Sequence, residues 1–120
     1  MIKITRKFAS LEILVDGEKR EVTFPVDKME DYRAVAEVLK AFWDAGTEGK
    51  NEIETLDKFI SLMEGFRDTV RQAVGEKQYT KVFGKLGEDV PILGWVEILK
   101  AMNDKYAEYL STAMSTEGEL

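Results

Sequence analysis

Cysteine and histidine are both absent from the 120-residue sequence, and proline occurs only twice. Without cysteine, the chain has neither disulfide bonds nor thiolate metal ligands. Without histidine, it also lacks the commonest general base and the commonest metal ligand of proteins. Any catalysis would therefore depend on carboxylates, lysine, tyrosine or hydroxyl groups.

An excess of positive charge is also missing, since 17 basic residues face 23 acidic ones and the net charge is −6. A nucleic-acid partner normally requires a clustered basic surface. Lys3, Arg6 and Lys7 precede no apolar run of signal-peptide length, and no window approaches the roughly 18 apolar residues of a membrane span. We expect a soluble cytoplasmic protein that binds neither nucleic acid nor membranes.

Length and composition predict one domain, because 120 residues with 44% hydrophobic content suffice for one core. The fold class that we predict is α+β and mostly α-helical, with an N-terminal β-hairpin packed with three longer helices and one short helix. This domain is predicted over residues 1–113. Residues 114–120 lack periodicity and are predicted to form a flexible acidic tail.

The hairpin is predicted from the alternating apolar residues of 11–15 and 22–24, which flank Asp16-Gly17. Asp-Gly favours a two-residue turn because both central positions need positive φ. The polar Glu18–Arg20 leaves a longer loop as an alternative, and Pro25 ends the second strand. The preceding residues 1–10 form either a short strand or an ordered arm.

A two-stranded hairpin is marginal alone and must pack on something. It either covers the helical core, which we prefer, or pairs its edge with a neighbouring copy. The residues that such an edge would present to a partner are Ile13, Val15, Val22 and Phe24.

The clearest helix is predicted over Ile53–Val74, starting at an Asn51 cap and stopping at Gly75. Residues at steps of three and four form an apolar stripe that we expect to be buried: Ile53, Leu56, Phe59, Ile60, Met63, Phe66, Val70 and Val74. A flexible polar connection, Ala45–Lys50, precedes it.

An earlier helix is predicted from an Asp27 cap, with Glu30 at capping-box spacing, to about Asp44. Trp43 near its end is either a core residue, which we prefer because Trp is usually well buried, or an exposed aromatic anchor for a partner.

Two further helices are predicted after Gly75. A short one covers Glu76–Phe83, with Leu86 on the same face and Gly84 as its cap. The last begins at an Asp89 cap with Pro91 in its first turn and runs to roughly Ala113.

Near the end of this last helix, Tyr106 and Tyr109 admit two interpretations. Core packing is preferred for Tyr106, whereas Tyr109 and Met114 are equally well explained as core or as a partner-binding face.

No catalytic or cofactor motif is present. The glycine pairs Gly46/Gly49 and Gly84/Gly87 match neither the dinucleotide fingerprint nor the phosphate loop. Paired carboxylates lie at predicted helix starts, where they complement the helix dipole, and no calcium loop is found. The sequence predicts a non-enzyme without cofactors or metals.

The order of the elements carries a family resemblance. The chain resembles the tail assembly chaperones of long-tailed, non-contractile bacteriophages in four successive elements. These are a hairpin over Leu11–Phe24, the segment Val74–Phe83 with its Gly-Glu element, an acidic turn and a closing helix over Ile92–Tyr109.

The resemblance implies a function in bacteriophage or prophage tail morphogenesis. Such chaperones bind the aggregation-prone tape measure protein, recruit tail tube subunits and often form homo-oligomers. The alternatives are another phage structural protein, such as a tail or head-tail completion component, and a small intracellular regulatory protein. A tube component should supply more strands than the two predicted here. The candidate partner-binding residues are Ile13, Val15, Val22, Phe24, Trp43, Tyr106 and Tyr109.

Overall fold

The computed structural model describes residues 1–45, 51–85 and 87–118. A β-hairpin is followed by four helices, and the predicted α+β, mostly helical class is confirmed. The elements are β1 (Phe8–Val15), β2 (Glu18–Pro25), α1 (Met29–Ala45), α2 (Glu52–Val74), α3 (Glu76–Phe83) and α4 (Ile92–Gly118). The predicted connection over residues 46–50 and Leu86 lie outside the described residues. The predicted segment 1–10 divides into two parts: Met1–Lys7 has no regular secondary structure, whereas Phe8–Ser10 belongs to β1.

The hairpin turn has two residues, as Asp-Gly predicted. Asp16 and Gly17 have φ of 50° and 84°, and Val15 lies opposite Glu18 in the antiparallel register. The alternative of a longer loop is therefore wrong. Because side chains alternate across a strand, one face of the hairpin carries the paired Leu11 and Val22 into the core.

The two outer edges of the hairpin differ. On the β2 side, α3 supplies hydrogen-bond partners: the Gln78 side chain bonds to the backbone of Thr23, and the Arg20 guanidinium donates to the Val82 carbonyl at 2.6 Å. On the β1 side, no further strand pairs within the described residues. β1 is thus the open edge of the sheet.

Local signals place most helix ends where the sequence predicts them. The Asn51 side chain accepts a hydrogen bond from the Glu54 amide at 2.9 Å and so caps α2. Gly75 and Gly84 end α2 and α3, and each has a positive φ that an L-residue rarely adopts.

Two predicted caps are not formed by their side chains. The Asp27 carboxylate accepts a hydrogen bond from the Lys7 amide at 2.9 Å and lies 3.3 Å from the Arg6 guanidinium. It therefore binds these two residues and not the α1 terminus. Asp89 is likewise bound by Arg20 at 3.0 Å. The last helix also runs to Gly118, beyond the predicted end at Ala113.

The core lies between the inner face of the hairpin and the helices, and aromatic rings fill much of it. Trp95 of α4 stacks on Tyr79 and touches Phe83, with ring centroids 6.0 and 4.9 Å apart. Tyr106, three turns further along α4, packs against Phe24 at 5.3 Å. These contacts tie α3, α4 and β2 into one hydrophobic cluster.

The long helix α2 is buried over only part of its length, which corrects the prediction of a fully buried stripe. Its buried residues, Phe66, Val70, Ala73 and Val74, all lie in its C-terminal half. In the N-terminal half, Phe59 lies 6.3 Å from Phe42 near the end of α1. The molecule is accordingly elongated, with extents of 59 × 31 × 22 Å.

Candidate partner-binding surfaces

Two exposed features of the molecule are suited to partner binding, and neither contains reactive groups. The described residues include no group of three or more acidic side chains placed to hold a metal ion. Among them, no helix is long and apolar enough to cross a membrane. The surfaces are therefore described by shape, hydrophobicity and charge.

The first surface is a row of apolar side chains on the N-terminal half of α2. Ile53, Leu56 and Ile60 have 73, 55 and 52% of their surface exposed. We call these three residues the α2 seam. They belong to the same stripe as the buried Val70 and Val74, which lie nearer the C-terminal end of α2. Ile53, Leu56 and Ile60 follow one another at steps of three and four residues. That spacing is typical of helices that pack along a second helix.

The α2 seam stays largely exposed in the part of the chain that the structure describes. Elsewhere in the molecule, α4 packs against both α1 and α2. Beside the N-terminal half of α2, α1 covers one side of the helix. Its Phe42 and Val38 lie by Phe59 and Leu62. The side that carries the seam stays exposed, so this half of α2 lacks the helix that would complete a bundle.

Trp43 lies next to Phe42 at a ring distance of 5.3 Å, and 62% of its surface is exposed. The preference for Trp43 as a core residue is therefore wrong. An exposed Trp is typical of an interface anchor, because its large ring loses much water-exposed area on binding.

The second surface is a groove between the open edge of β1 and α4. Consecutive residues Leu11 to Asp16 all line it, although neighbouring strand residues point to opposite faces, so the groove must run along the edge. We call it the edge groove. Its volume is about 430 Å³, and its far wall is formed by residues of the first turns of α4 and the loop before them: Asp89, Val90, Pro91, Gly94, Glu97, Ile98 and Ala101.

The walls of the edge groove are apolar, and the charged residues that line it are acidic: Glu12, Asp16, Asp89 and Glu97. Glu12 and Glu97 form exposed ion pairs with Lys19 and Lys100 at 3.2 and 3.8 Å. Such surface pairs are weak and exchange readily. A further groove continues along the same edge, from Lys7 to Ser10, against Tyr109 and the end of α4.

Two buried ionisable groups lie away from both surfaces. Burial raises the pKa of the Asp31 carboxyl, while nearby Lys28 opposes this change. Burial also raises the pKa of the Tyr106 hydroxyl, and the charge of Asp31 adds to the effect. Among the described residues, the Tyr106 hydroxyl and one Asp31 oxygen have no hydrogen-bond partner. Both groups are buried in the interior of the protein.

The candidate residues from the sequence are distributed over three places. Val22, Phe24 and Tyr106 have no exposed surface and are core residues in this structure. Ile13 and Val15 are half-buried and line the edge groove, while half-buried Tyr109 lines its continuation. Trp43 is exposed near the C-terminal end of α1. The structure therefore brings Ile13, Val15 and Tyr109 to one side of β1.

Sequence reasoning assigned the α2 seam to the core. No local signal separates Ile60 from Val70, since both occupy the same periodic stripe. Their difference arises from tertiary packing, which buries Val70 and leaves Ile60 exposed. The acidic lining of the edge groove was also missed, although Glu97 and Glu12 alternate with apolar residues in the sequence.

In comparisons with known proteins, no protein-family model, no curated protein and no solved structure matched the chain. A function for this chain is therefore inferred from the surfaces themselves and from the resemblance in the order of elements.

Proposed function

We propose that this protein is a non-enzymatic tail assembly chaperone of a bacteriophage or prophage, which binds helical segments of the tape measure protein through the α2 seam. The observation that carries the proposal is the exposure of Ile53, Leu56 and Ile60 at helix-packing spacing. The resemblance of the hairpin, helical body and closing helix to that family supports the choice of partner.

The chemistry of the seam fits a helix better than an extended peptide. Ile53 to Ile60 spans about 10 Å of helix, and half-buried Met63 lengthens the row by another turn. A partner helix with apolar residues at the same spacing would dock alongside α2, as helices do in bundles. Full burial of an aliphatic side chain of this size is worth about 1.5–3 kcal/mol.

Covering apolar stripes is what a chaperone of a long helical protein must do. The resemblance implies an aggregation-prone tape measure protein, and exposed apolar stripes promote aggregation. The net charge of −6 on the chaperone would keep the complex dispersed. Recruitment of tail tube subunits would then use a surface that the tape measure segment leaves free.

The test is co-expression with the long helical product of the neighbouring gene. We expect the partner to be soluble and to co-elute with the wild-type protein on size exclusion. The double variant Ile53→Asp/Leu56→Asp should fold with an unchanged thermal midpoint, because both side chains are exposed, but should leave the partner in the pellet.

A control is Leu93→Asp, which places one such charge at an exposed apolar residue at the start of α4. This variant should keep the partner soluble. If the seam variant protects the partner as well as the wild type does, the α2 seam is not the binding surface. If the wild type does not protect the partner at all, the chaperone function is excluded.

A further inference from the structure

We propose that the edge groove of one copy receives the N-terminal arm of a second copy, as a strand added to β1. The arm is defined as residues 1–5. This inference concerns self-association and uses surfaces distinct from the α2 seam, so it goes beyond the proposed function and can fail separately.

The backbone of β1 is arranged to accept a strand. The Val26 amide donates to the Lys7 carbonyl at 3.0 Å, and Thr23 directs its backbone outwards to Gln78. Since hydrogen-bonded and non-hydrogen-bonded pairs alternate in an antiparallel ladder, β1 residues 8, 10, 12 and 14 direct their N–H and C=O groups to the open edge. An open row of this kind is a template for β-strand addition.

The residues of the arm suit a strand that would be added to β1. Ile2 and Ile4 are two residues apart, and 87 and 92% of their surface is exposed. In an extended segment they share one face, so both can enter an apolar groove while Lys3 points the other way. Five extended residues reach about 17 Å. This length covers the edge from Ser10 to Leu14, which are four steps apart along the strand, or about 13 Å.

A molecule cannot fill its own groove in this conformation. The residues next to the arm are fixed on the β2 side, because Arg6 and the Lys7 amide are both held by Asp27, at the end of that strand. The arm would need a reversal at these two positions to return along β1. A second copy has no such restriction, and each copy offers one arm and one groove.

Charge favours the same occupant. The segment before β1 carries Lys3, Arg6 and Lys7 and no acidic residue, whereas the groove is lined by acidic residues and no basic one. With Ile2 and Ile4 beside the half-buried Leu11 and Ile13, Lys3 comes to lie beside Glu12 on the outer face. The arm therefore supplies both the apolar and the basic groups that the groove lacks.

The experiment measures the mass of the full chain by sedimentation equilibrium over a wide range of protein concentration. We expect a reversible dimer. The double variant Ile2→Asp/Ile4→Asp should raise the dimer dissociation constant at least about tenfold. Ile53→Asp, a matched charge in the α2 seam, should leave it unchanged.

A second variant tests the strand edge itself. Glu12→Pro removes an N–H that faces the open edge and breaks no bond between β1 and β2, so the hairpin should persist by circular dichroism while the dimer is lost. The charge exchange Lys3→Glu with Glu12→Lys should restore part of the affinity that Glu12→Lys alone removes.

A monomer at all concentrations would overturn the proposal, as would a dimer that the arm variant leaves intact. A dimer that withstands Glu12→Pro but not the arm variant would overturn strand addition and place the arm elsewhere. Loss of tape measure binding without loss of the dimer would bear on the proposed function alone.

Discussion

The side-chain amide of Gln78 forms both hydrogen bonds that a neighbouring strand would make to Thr23. The Gln78 Nε2 donates to the Thr23 carbonyl at 2.6 Å, and the Thr23 amide donates to Gln78 Oε1 at 2.8 Å. The same nitrogen also donates to the Val74 carbonyl at 3.0 Å. One α3 residue thereby satisfies the backbone groups that Thr23 directs to the β2 edge.

The Gln78→Glu substitution should destabilise the protein by about 1–3 kcal/mol, because a carboxylate cannot donate to the carbonyls of Thr23 and Val74. The free energy of unfolding in urea measures this loss. Gln72→Glu makes the same chemical change at an exposed position and should cost less than about 0.5 kcal/mol. Equal losses in both variants would show that the strand-like bonding of Gln78 does not contribute.

The buried Asp31 should make stability fall as pH rises. Burial raises its pKa in the folded protein above the ordinary 3.8, so the folded state holds this proton to higher pH than the unfolded chain does. The stabilising contribution is complete below pH 3.8 and is lost as pH rises through the folded pKa. Relative to the wild type, Asp31→Asn should therefore gain stability between acidic and neutral pH.

This comparison uses unfolding free energies in urea at acidic and neutral pH, with Asp44→Asn as the exposed control. The control should follow the wild type at both pH values. If Asp31→Asn also follows it, the carboxyl of Asp31 does not titrate differently in the folded protein.

Gly87 allows close packing between Tyr79 and Trp95. A Cβ at this position would overlap the Tyr79 hydroxyl and lie 2.9 Å from the Trp95 ring, and its φ of 68° already disfavours other residues. We expect Gly87→Ala to cost about 1–3 kcal/mol for overpacking, in addition to about 1–2 kcal/mol for the left-handed backbone.

Gly17→Ala separates these two costs, because Gly17 also has positive φ but a Cβ added there would meet no atom within 4 Å. Thermal and urea unfolding of both variants give the difference. Equal destabilisation of the two would show that the contact with Tyr79 and Trp95 relaxes without cost.

Substitutions along the apolar stripe of α2 should change the free energy of unfolding by different amounts. Ile60→Ala should change stability by less than about 0.5 kcal/mol, because its side chain is half exposed in the free protein. Val70→Ala removes two buried methyl groups and should cost about 1.5–3 kcal/mol with the cavity. Urea unfolding measures both, and a large loss for Ile60→Ala would place the seam in the core.

Interactions within a few residues determine what the sequence predicts correctly. The Asp16-Gly17 turn, the Asn51 cap of α2 and the glycine ends at Gly75 and Gly84 each depend on backbone angles or bonds between near neighbours. These features suffice for the α+β class and for most element boundaries. The short face of Tyr79, Val82 and Phe83 is also buried as its spacing predicts.

Predicted caps failed where a distant group competed for the same carboxylate. Asp27 has the right spacing to cap α1, but its oxygens bind Arg6 and the Lys7 amide instead. Lys7 lies 20 residues earlier in the chain. Asp89 is bound by Arg20, 69 residues away. A local pattern cannot show such competitors, because they become neighbours only when the hairpin packs against the helices.

The sequence alone determined the elements and the turn, since each follows from residue types and near-neighbour spacing. Tertiary structure decided which apolar residues stay exposed. Ile60 and Val70 share one stripe, yet only Val70 is covered, because the packing of α1, α4 and the hairpin covers the C-terminal half of α2. It also decided that β1 keeps an open edge, since α3 presents Gln78 to β2 instead.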